Sequence, residues 1–297
     1  MVSDAQLSPV DLAAWVSRGD EQHRGFREAV HIVISAISDS APLRTQMIMK
    51  GGLLMAIRYD STRFTRDVDF STREKYASGS EQALLAELDQ QLERFNDAFG
   101  YDTLCRRQRA KLNPPRSDAT FPTLTIGIGY AARSNARQLQ RLLQSQSPHV
   151  VEIDYSYNEA VLDVEVLRLS DGQELQAYSH LNVIAEKLRS LLQQPVRRRN
   201  RRQDVYDLHL LVTHGVTPTN EIERKRLLQV LRQSCAERDI AAEPESILDA
   251  RVKAMARADY DSLADEVDGE LPDFEDAYGM VCALYTSLPW LEQASGT

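Results

Sequence analysis

Apolar residues recur at helical spacing soon after the N-terminus. Ser8-Pro9-Val10-Asp11 offers a Ser cap and a proline in the first turn, and Leu12, Trp15, Phe26, Val30 and Ile34 follow along one amphipathic pattern that runs to Ile37. Ser38-Asp39-Ser40 and Pro42 end it. The short apolar run Gln46–Lys50 stops at Gly51-Gly52, which predicts a buried strand meeting a glycine turn. A helix is expected over Leu53–Tyr59, a polar connection over Ser61–Arg66, and a half-buried strand at Asp67-Val68-Asp69-Phe70, where polar and apolar residues alternate. Leu84, Leu85, Leu88, Leu92 and Phe95 form a helical stripe within Glu81–Phe99. Thr123–Tyr130, Val150–Tyr157 and Leu162–Leu167 read as strands, and Leu181–Leu192 and Val205–His214 as helices. Beyond Gly215 and Pro218 the strand formers thin out, and Glu221–Arg238 and Pro244–Arg257 read as charged helices. The pattern predicts an α+β protein, with a mixed body over residues 1–215 and a helical portion over 216–297.

Composition narrows the function classes. Of 297 residues, 42% are hydrophobic and 27% charged, ordinary values for a chain with a packed core. The net charge of −9 argues against a protein that coats nucleic acid, because the field of the whole molecule repels phosphate. Cys105, Cys235 and Cys282 form no CxxC pair and no cluster with the six histidines, so a disulfide scaffold or structural zinc site is not expected. No run of about 18 apolar residues is present, and the N-terminus lacks a basic and then apolar leader pattern. A cytoplasmic protein without a membrane segment is the expectation.

Chemistry concentrates at Gly51-Gly52 and Asp67-Val68-Asp69. The chain between them is long enough for a helix of about two turns and a return to a neighbouring strand. Carboxylates at i and i+2 of a strand point to one face, so Asp67 and Asp69 can converge on one cation or a pair. Hard oxygen donors suit Mg²⁺, which takes one or two carboxylates and completes its shell with phosphates and water. A Gly-Gly turn opening a helix presents backbone N–H groups with no side chain in the way, a cradle for a triphosphate. Either motif alone is common in ordinary turns and strands; their order along the chain is what describes a metal-assisted nucleotide site.

The residues Met49-Lys50-Gly51-Gly52-Leu53-Leu54, followed by Tyr59, Arg63, Thr65 and Asp67-Val68-Asp69-Phe70, resemble the signature of the AbiEii/AbiGii-type toxin nucleotidyltransferases, a group that includes the MenT toxins. Leu53-Leu54 stand where the family pattern has a small residue and Ala, and Thr65 replaces the usual Ser. A second block follows: Ala185-Glu186-Lys187-Leu188 is similar to the family's E-K-L helix, and Arg202-Gln203-Asp204-Val205-Tyr206-Asp207-Leu208 to its R-x-x-D-x-Y-D-L segment. The resemblance implies a DNA polymerase β-like nucleotidyltransferase core with a small mixed sheet, and Mg²⁺-dependent transfer from an NTP. It implies a toxin of a toxin–antitoxin or phage-defence pair, a cognate antitoxin as partner, and tRNA or another RNA as acceptor, the MenT branch pointing to the tRNA 3′ end. By the same resemblance Asp67 and Asp69 are metal carboxylates, Lys187, Asp204 and Asp207 complete the catalytic set, and Lys50, Gly51, Gly52, Arg66 and Lys187 serve the nucleotide. The superfamily's third carboxylate lies on a later strand, with Asp154 as candidate and Glu152 and Asp163 as competitors.

Each reading has a plainer rival. Lys187 fits a solvated helix position, Asp204 an N-cap for the helix that follows, and Asp154 an exposed strand carboxylate. Arg197, Arg198, Arg199, Arg201 and Arg202 put five arginines in six residues, suited to a triphosphate or an RNA backbone, or else to an exposed loop that pairs with the excess carboxylates. Arg106, Arg107, Arg109, Lys111 and Arg116 extend the basic track through a region that Pro114-Pro115 marks as a loop. The functional rivals are a nucleotide-binding partner module without transfer activity and a kinase-like phosphoryl transferase.

Overall fold

The computed structural model describes residues 8–115 and 119–290, so Arg116 lies outside the described residues. The chain separates into two compact units, one formed by residues 1–58 and 65–177 and the other by residues 59–64 and 178–297. The composition change near Gly215 falls inside the second unit.

The first unit opens with helices α1 (Leu12–Ser17), α2 (Glu21–Asp39) and α3 (Ala41–Gln46). The single amphipathic pattern of the sequence is broken into α1 and α2 because Asp20 starts a new helix, its side chain accepting the His23 backbone N–H. Then come β1 (Ile48–Lys50), α4 (Gly51–Arg58), β2 (Asp67–Ser71), α5 (Glu81–Phe95), β3 (Thr103–Asn113), β4 (Thr123–Ala132), α6 (Ala136–Leu143), β5 (Val150–Ser156), β6 (Val164–Arg168) and β7 (Glu174–Tyr178). The strands make one seven-stranded mixed sheet in the order β3-β4-β5-β2-β1-β7-β6. Strand β2 runs parallel to β5 and antiparallel to β1, while β3, β4 and β5 form an antiparallel meander.

The sheet has an apolar face and a polar one. Val68, Phe70, Val151, Ile153, Tyr155, Ile126 and Ile128 are buried, in a core shared with Val30, Val33, Ile34 and Ile37 of α2 and Leu88 and Leu92 of α5. The alternating residues face the other way and carry the chemistry. The basic patch over residues 106–111, expected within a loop, lies instead in an eleven-residue edge strand over residues 103–113. Its arginines hid the alternation: Thr103 and Cys105 are buried, while Arg106, Arg109 and Lys111 are exposed on a strand with one open edge. Strand β7 and helices α3 and α6 were likewise not anticipated, each being short.

The second unit contains α7 (His180–Arg197), α8 (Arg202–Thr213), α9 (Glu221–Ala236), α10 (Ala250–Arg257) and α11 (Phe274–Thr286), the last unanticipated. Ser179 caps α7 by accepting the Asn182 N–H, and the helix buries Leu181, Ile184, Leu188, Leu191 and Leu192 along one stripe. The short segment Tyr59–Phe64 belongs to this unit: the Phe64 N–H donates to the Glu266 carbonyl at 2.7 Å and the Thr62 hydroxyl lies 3.3 Å from the Tyr206 hydroxyl. Among the described residues no helix is long and apolar enough to cross a membrane.

Candidate active site

The polar sheet face of the first unit is organised by strand register. Asp67 is paired with Glu152 and Asp69 with Asp154 across the parallel β2–β5 ladder, so four carboxylates share one face in two rows. Like charges directly opposite one another on neighbouring strands are destabilising. Partial burial, reinforced by the charges of Asp154 and Glu152, holds the Asp67 carboxyl above its usual range. Two neighbours relieve part of the strain. Arg109 on β3 ion-pairs with Glu152, crossing β4 above Gly127, where an added Cβ would lie 2.8 Å from the arginine Cγ. The Thr125 hydroxyl donates to Asp154 at 2.8 Å. With Glu152 engaged by Arg109, the acids directed to the open face are Asp67, Asp69 and Asp154.

Gly51 sets the back of this face. Its φ is +73°, a left-handed value at the junction of β1 and α4, and a Cβ there would sit 2.0 Å from Asp69 Oδ2. Both facts demand glycine. The turn that begins α4 is thereby pressed against the Asp69 carboxylate. Lys50, opposite Asp69 in the β1–β2 register, is buried and ion-paired with Glu159, which also accepts a hydrogen bond from Ser71 at 2.6 Å. Lys50 thus brings its charge to the same sheet face as Asp69 and also serves Glu159. Gly52 lies in the first turn of α4, and Arg66 is exposed just before β2.

The second unit holds its own charged cluster. The Lys187 ammonium, on α7, donates to Asp207 Oδ2 at 2.5 Å and to Asp204 Oδ1 at 3.3 Å, both on α8. Arg63 adds a fork to Asp207, Nε to Oδ1 at 3.4 Å and Nη2 to Oδ2 at 3.3 Å. Asp207 is fully buried and Lys187 only 7% exposed, so Lys187 is no solvated surface residue. Burial works against the charge on Lys187, but Asp207 and Asp204 outweigh it and its pKa lies above the ordinary value. Burial likewise opposes ionisation of Asp207, and the two cations overcome it, leaving that carboxyl below its usual range. Asp204 differs: burial dominates despite Lys187 and Arg201, and its carboxyl is raised. Its Oδ2 is buried without a hydrogen-bond partner among the described residues. Asp204 is no N-cap, since that place is taken by Arg201.

The structure therefore gathers Lys50, Gly51, Asp67, Asp69 and Asp154 on the first unit's polar face, and Lys187, Asp204 and Asp207 in the second unit's cluster. The five-arginine run forms the turn from α7 to α8. Arg197, Arg198 and Arg199 are exposed, Arg198 in a left-handed conformation at the helix end, while Arg202 ion-pairs with Glu266 at 2.7 Å. Sequence reasoning passed over Arg63 as a site residue although it stands in the motif, and it missed Thr125 and Glu159, whose roles come from register and loop packing. Among the described residues no three His, Cys, Asp or Glu side chains group closely enough to hold a metal ion by themselves. The acid face fits a hard cation of the kind that takes one or two carboxylates and completes its shell from phosphates and water.

Two outcomes follow for stability. Gly51→Ala forces a left-handed alanine, worth about 1–2 kcal/mol, and drives a methyl into Asp69, so chemical denaturation should show at least that loss. At the charged cluster, Asp204 and Asp207 should respond oppositely. The raised Asp204 carboxyl favours folding fully below the ordinary carboxylate range and loses that contribution as pH rises through its folded pKa. At pH 7 Asp204→Asn should thus be more stable than the parent, the gap closing on acidification. The depressed Asp207 carboxyl contributes above the ordinary range and loses its effect as pH falls through its folded pKa. Asp207→Asn should cost roughly 3–5 kcal/mol at pH 7, the usual loss when one partner of a buried pair is removed. Urea titrations of both variants across acid and neutral pH check this, and shifts of the same sign would contradict it.

Comparison with known proteins bears on this geometry. The chain's fold resembles that of JHP933 from Helicobacter pylori, with a TM-score of 0.51 and 15% identity over 90% of this chain and 91% of that one. It resembles equally a second H. pylori protein assigned as a nucleotidyltransferase, with a TM-score of 0.50 and 15% identity over 90% of this chain and 94% of that one. No curated protein matches at the level of sequence. The sequence model of one family, however, described as nucleotidyl transferase AbiEii toxin of Type IV toxin–antitoxin systems, matches residues 35–280, a span that contains the glycine turn, the acid face and the Lys187 cluster. The chain belongs to the AbiEii family of nucleotidyl transferase toxins.

Proposed function

We propose that the protein is a Mg²⁺-dependent nucleotidyltransferase that moves a nucleotide from an NTP to an RNA hydroxyl, with the tRNA 3′ end as the first acceptor to test. It acts as the toxin of a pair whose antitoxin restrains it in the cytoplasm. The observation that carries the reading is the register of β2 against β5, which sets Asp69 opposite Asp154 beside Asp67 and leaves an acid face calling for positive charge. When bound there, Mg²⁺ would neutralise those carboxylates and the charge that develops on the reacting phosphate.

The chain's own groups divide the remaining work. Backbone N–H groups of the Gly51-Gly52 turn present partial positive charge to the triphosphate at the start of α4. Lys50 is a support whose ion pair with Glu159 anchors β1 behind that turn. Arg66 and the exposed Arg197, Arg198 and Arg199 offer further phosphate contacts, with Arg201 and Arg202 beside them. Lys187 supplies a fixed positive charge for the nucleotide phosphates, held ionised by Asp207 and Asp204. Asp204 is the less satisfied carboxylate of that cluster, its buried Oδ2 lacking a hydrogen-bond partner among the described residues.

The test is incubation with total RNA and each α-labelled NTP, with Mg²⁺ or EDTA, followed by gel analysis. A labelled RNA band that requires Mg²⁺ and pyrophosphate release is expected. Asp69→Ala should lower transfer by at least about a thousandfold, equivalent to several kcal/mol of lost transition-state stabilisation, and abolish growth arrest. Transfer by Asp69→Ala at a rate near the parent's would remove the assignment.

A further inference from the structure

The charge of this protein is divided unevenly along the chain. Residues 103–149 contain eight Lys and Arg against a single acid, Asp118, a net +7, so the rest of the chain carries −16. No Asp or Glu lies between Ala119 and Val151. This stretch is the β3–β4 hairpin with α6. Of its cations, Arg107 is neutralised by Asp89, Arg109 by Glu152 and Arg133 by Asp97. Lys111, Arg137 and Arg141 are exposed and have no carboxylate partner among the described residues, and Arg106 donates only to the Leu143 carbonyl at 3.2 Å.

Register connects this basic region to the acid face. Lys111 pairs with Thr125, Thr125 with Asp154, Asp154 with Asp69, and Asp69 with Lys50, a single row across five strands on one side of the sheet. The next row is Arg109, Gly127, Glu152 and Asp67. Arg106 is placed opposite Gly129, on that same side, and its bond to Leu143 ties it to the end of α6. From β3 to β2 is three strand spacings, about 14 Å. The polar face therefore grades from basic at the β3 edge to acidic at β2, without a step between faces.

We propose that the β3–β4 hairpin and α6 form an acceptor track, which binds the phosphodiester backbone of a single-stranded RNA and leads its end along the Lys111–Thr125–Asp154–Asp69 row. The inference rests on the transfer reading above and names where its acceptor lies. Spread cations suit a polyanion; a triphosphate is compact and needs converging donors. The surface between them is rich in amide groups, with Gln138, Gln140, Gln144 and Gln146 on or beside α6, and among the described residues of this stretch Leu143 is the one strongly exposed large apolar side chain. Protein interfaces are centred on buried aromatic anchors, whereas polar and positive surface is what nucleic acid contacts.

Fluorescence anisotropy with a fluorescein-labelled single-stranded RNA oligonucleotide tests this, using the full chain in EDTA without nucleotide over a KCl series. Lys111→Gln/Arg137→Gln/Arg141→Gln should weaken binding at least tenfold and flatten the log–log salt slope by about 2, for three contacts at about 0.7 each. Its thermal midpoint should stay at the parent value, since all three side chains are exposed. Arg137→Gln/Arg141→Gln on α6 alone should give a smaller loss in the same direction. In the transfer assay the triple variant should raise the KM for RNA. The track is overturned if the parent protein binds no RNA, if the triple variant binds with unchanged affinity and slope, or if binding is lost only with Arg197→Gln/Arg198→Gln/Arg199→Gln. Failure of the enzymatic reading is a separate outcome, since it would show as an Asp69→Asn protein that binds RNA normally and still transfers nucleotide.

Discussion

The parallel pairing of β2 with β5 places aspartate opposite aspartate and aspartate opposite glutamate, and much of the surrounding structure answers that repulsion. Such an arrangement is unfavourable in isolation. The fold compensates with an arginine reaching over a glycine to Glu152, a threonine hydroxyl on Asp154, and a glycine turn packed against Asp69. What these leave is a face that still carries an excess of carboxylates. A sheet selected for stability alone would place neutral or opposite charges in those rows. The apolar face of the same strands, packed with Val68, Phe70, Ile153 and Tyr155, supplies the burial that lets the polar face stay strained.

The second unit resolves its charges differently. Two cations and two carboxylates are buried together, and Asp207, gripped by both Lys187 and Arg63, is the fixed point. Burial of a lone lysine would drive its pKa down; the two aspartates reverse that and keep the ammonium charged and oriented. Asp204 is the less satisfied partner, raised in pKa and with one oxygen unmatched, which marks it as the member of the cluster with capacity to bind something else. Such unsatisfied groups in a native protein commonly carry function at some cost in stability.

What the sequence revealed depended on how local the determinants were. The glycine turn, the Asp67/Asp69 pair and the helices around Lys187 and Asp204 are short-range patterns, and they lie where their spacing put them. Asp154 was the sequence's candidate, but what distinguishes its surroundings from those of Glu152 is a parallel register and Arg109 arriving from two strands away, neither of which is a local pattern. Lys187 was legible as a phosphate-binding candidate, yet its buried bond to Asp207 requires α7 and α8 to pack, and Arg63 comes to that bond from more than a hundred residues earlier. Strand β3 was obscured by its own arginines: alternation on an edge strand with charges on both sides does not read as apolar-in and polar-out. The global charge of −9 concealed the same feature, since it averages a basic hairpin with an acidic remainder.

In the proposed enzyme, Asp69 and Asp154 repel one another in the protein alone and would be reconciled by a divalent cation with its nucleotide. A double-mutant cycle of Asp69→Asn and Asp154→Asn, read by urea unfolding, measures that coupling directly. In EDTA a repulsive coupling of about 0.2–1 kcal/mol is expected, with either single substitution relieving most of the strain. With saturating Mn²⁺ and a non-hydrolysable NTP the coupling should change sign, because each carboxylate then helps to hold the same charge. A coupling near zero in EDTA, or one that keeps its sign when metal and nucleotide are added, would mean that the two carboxylates share no cation.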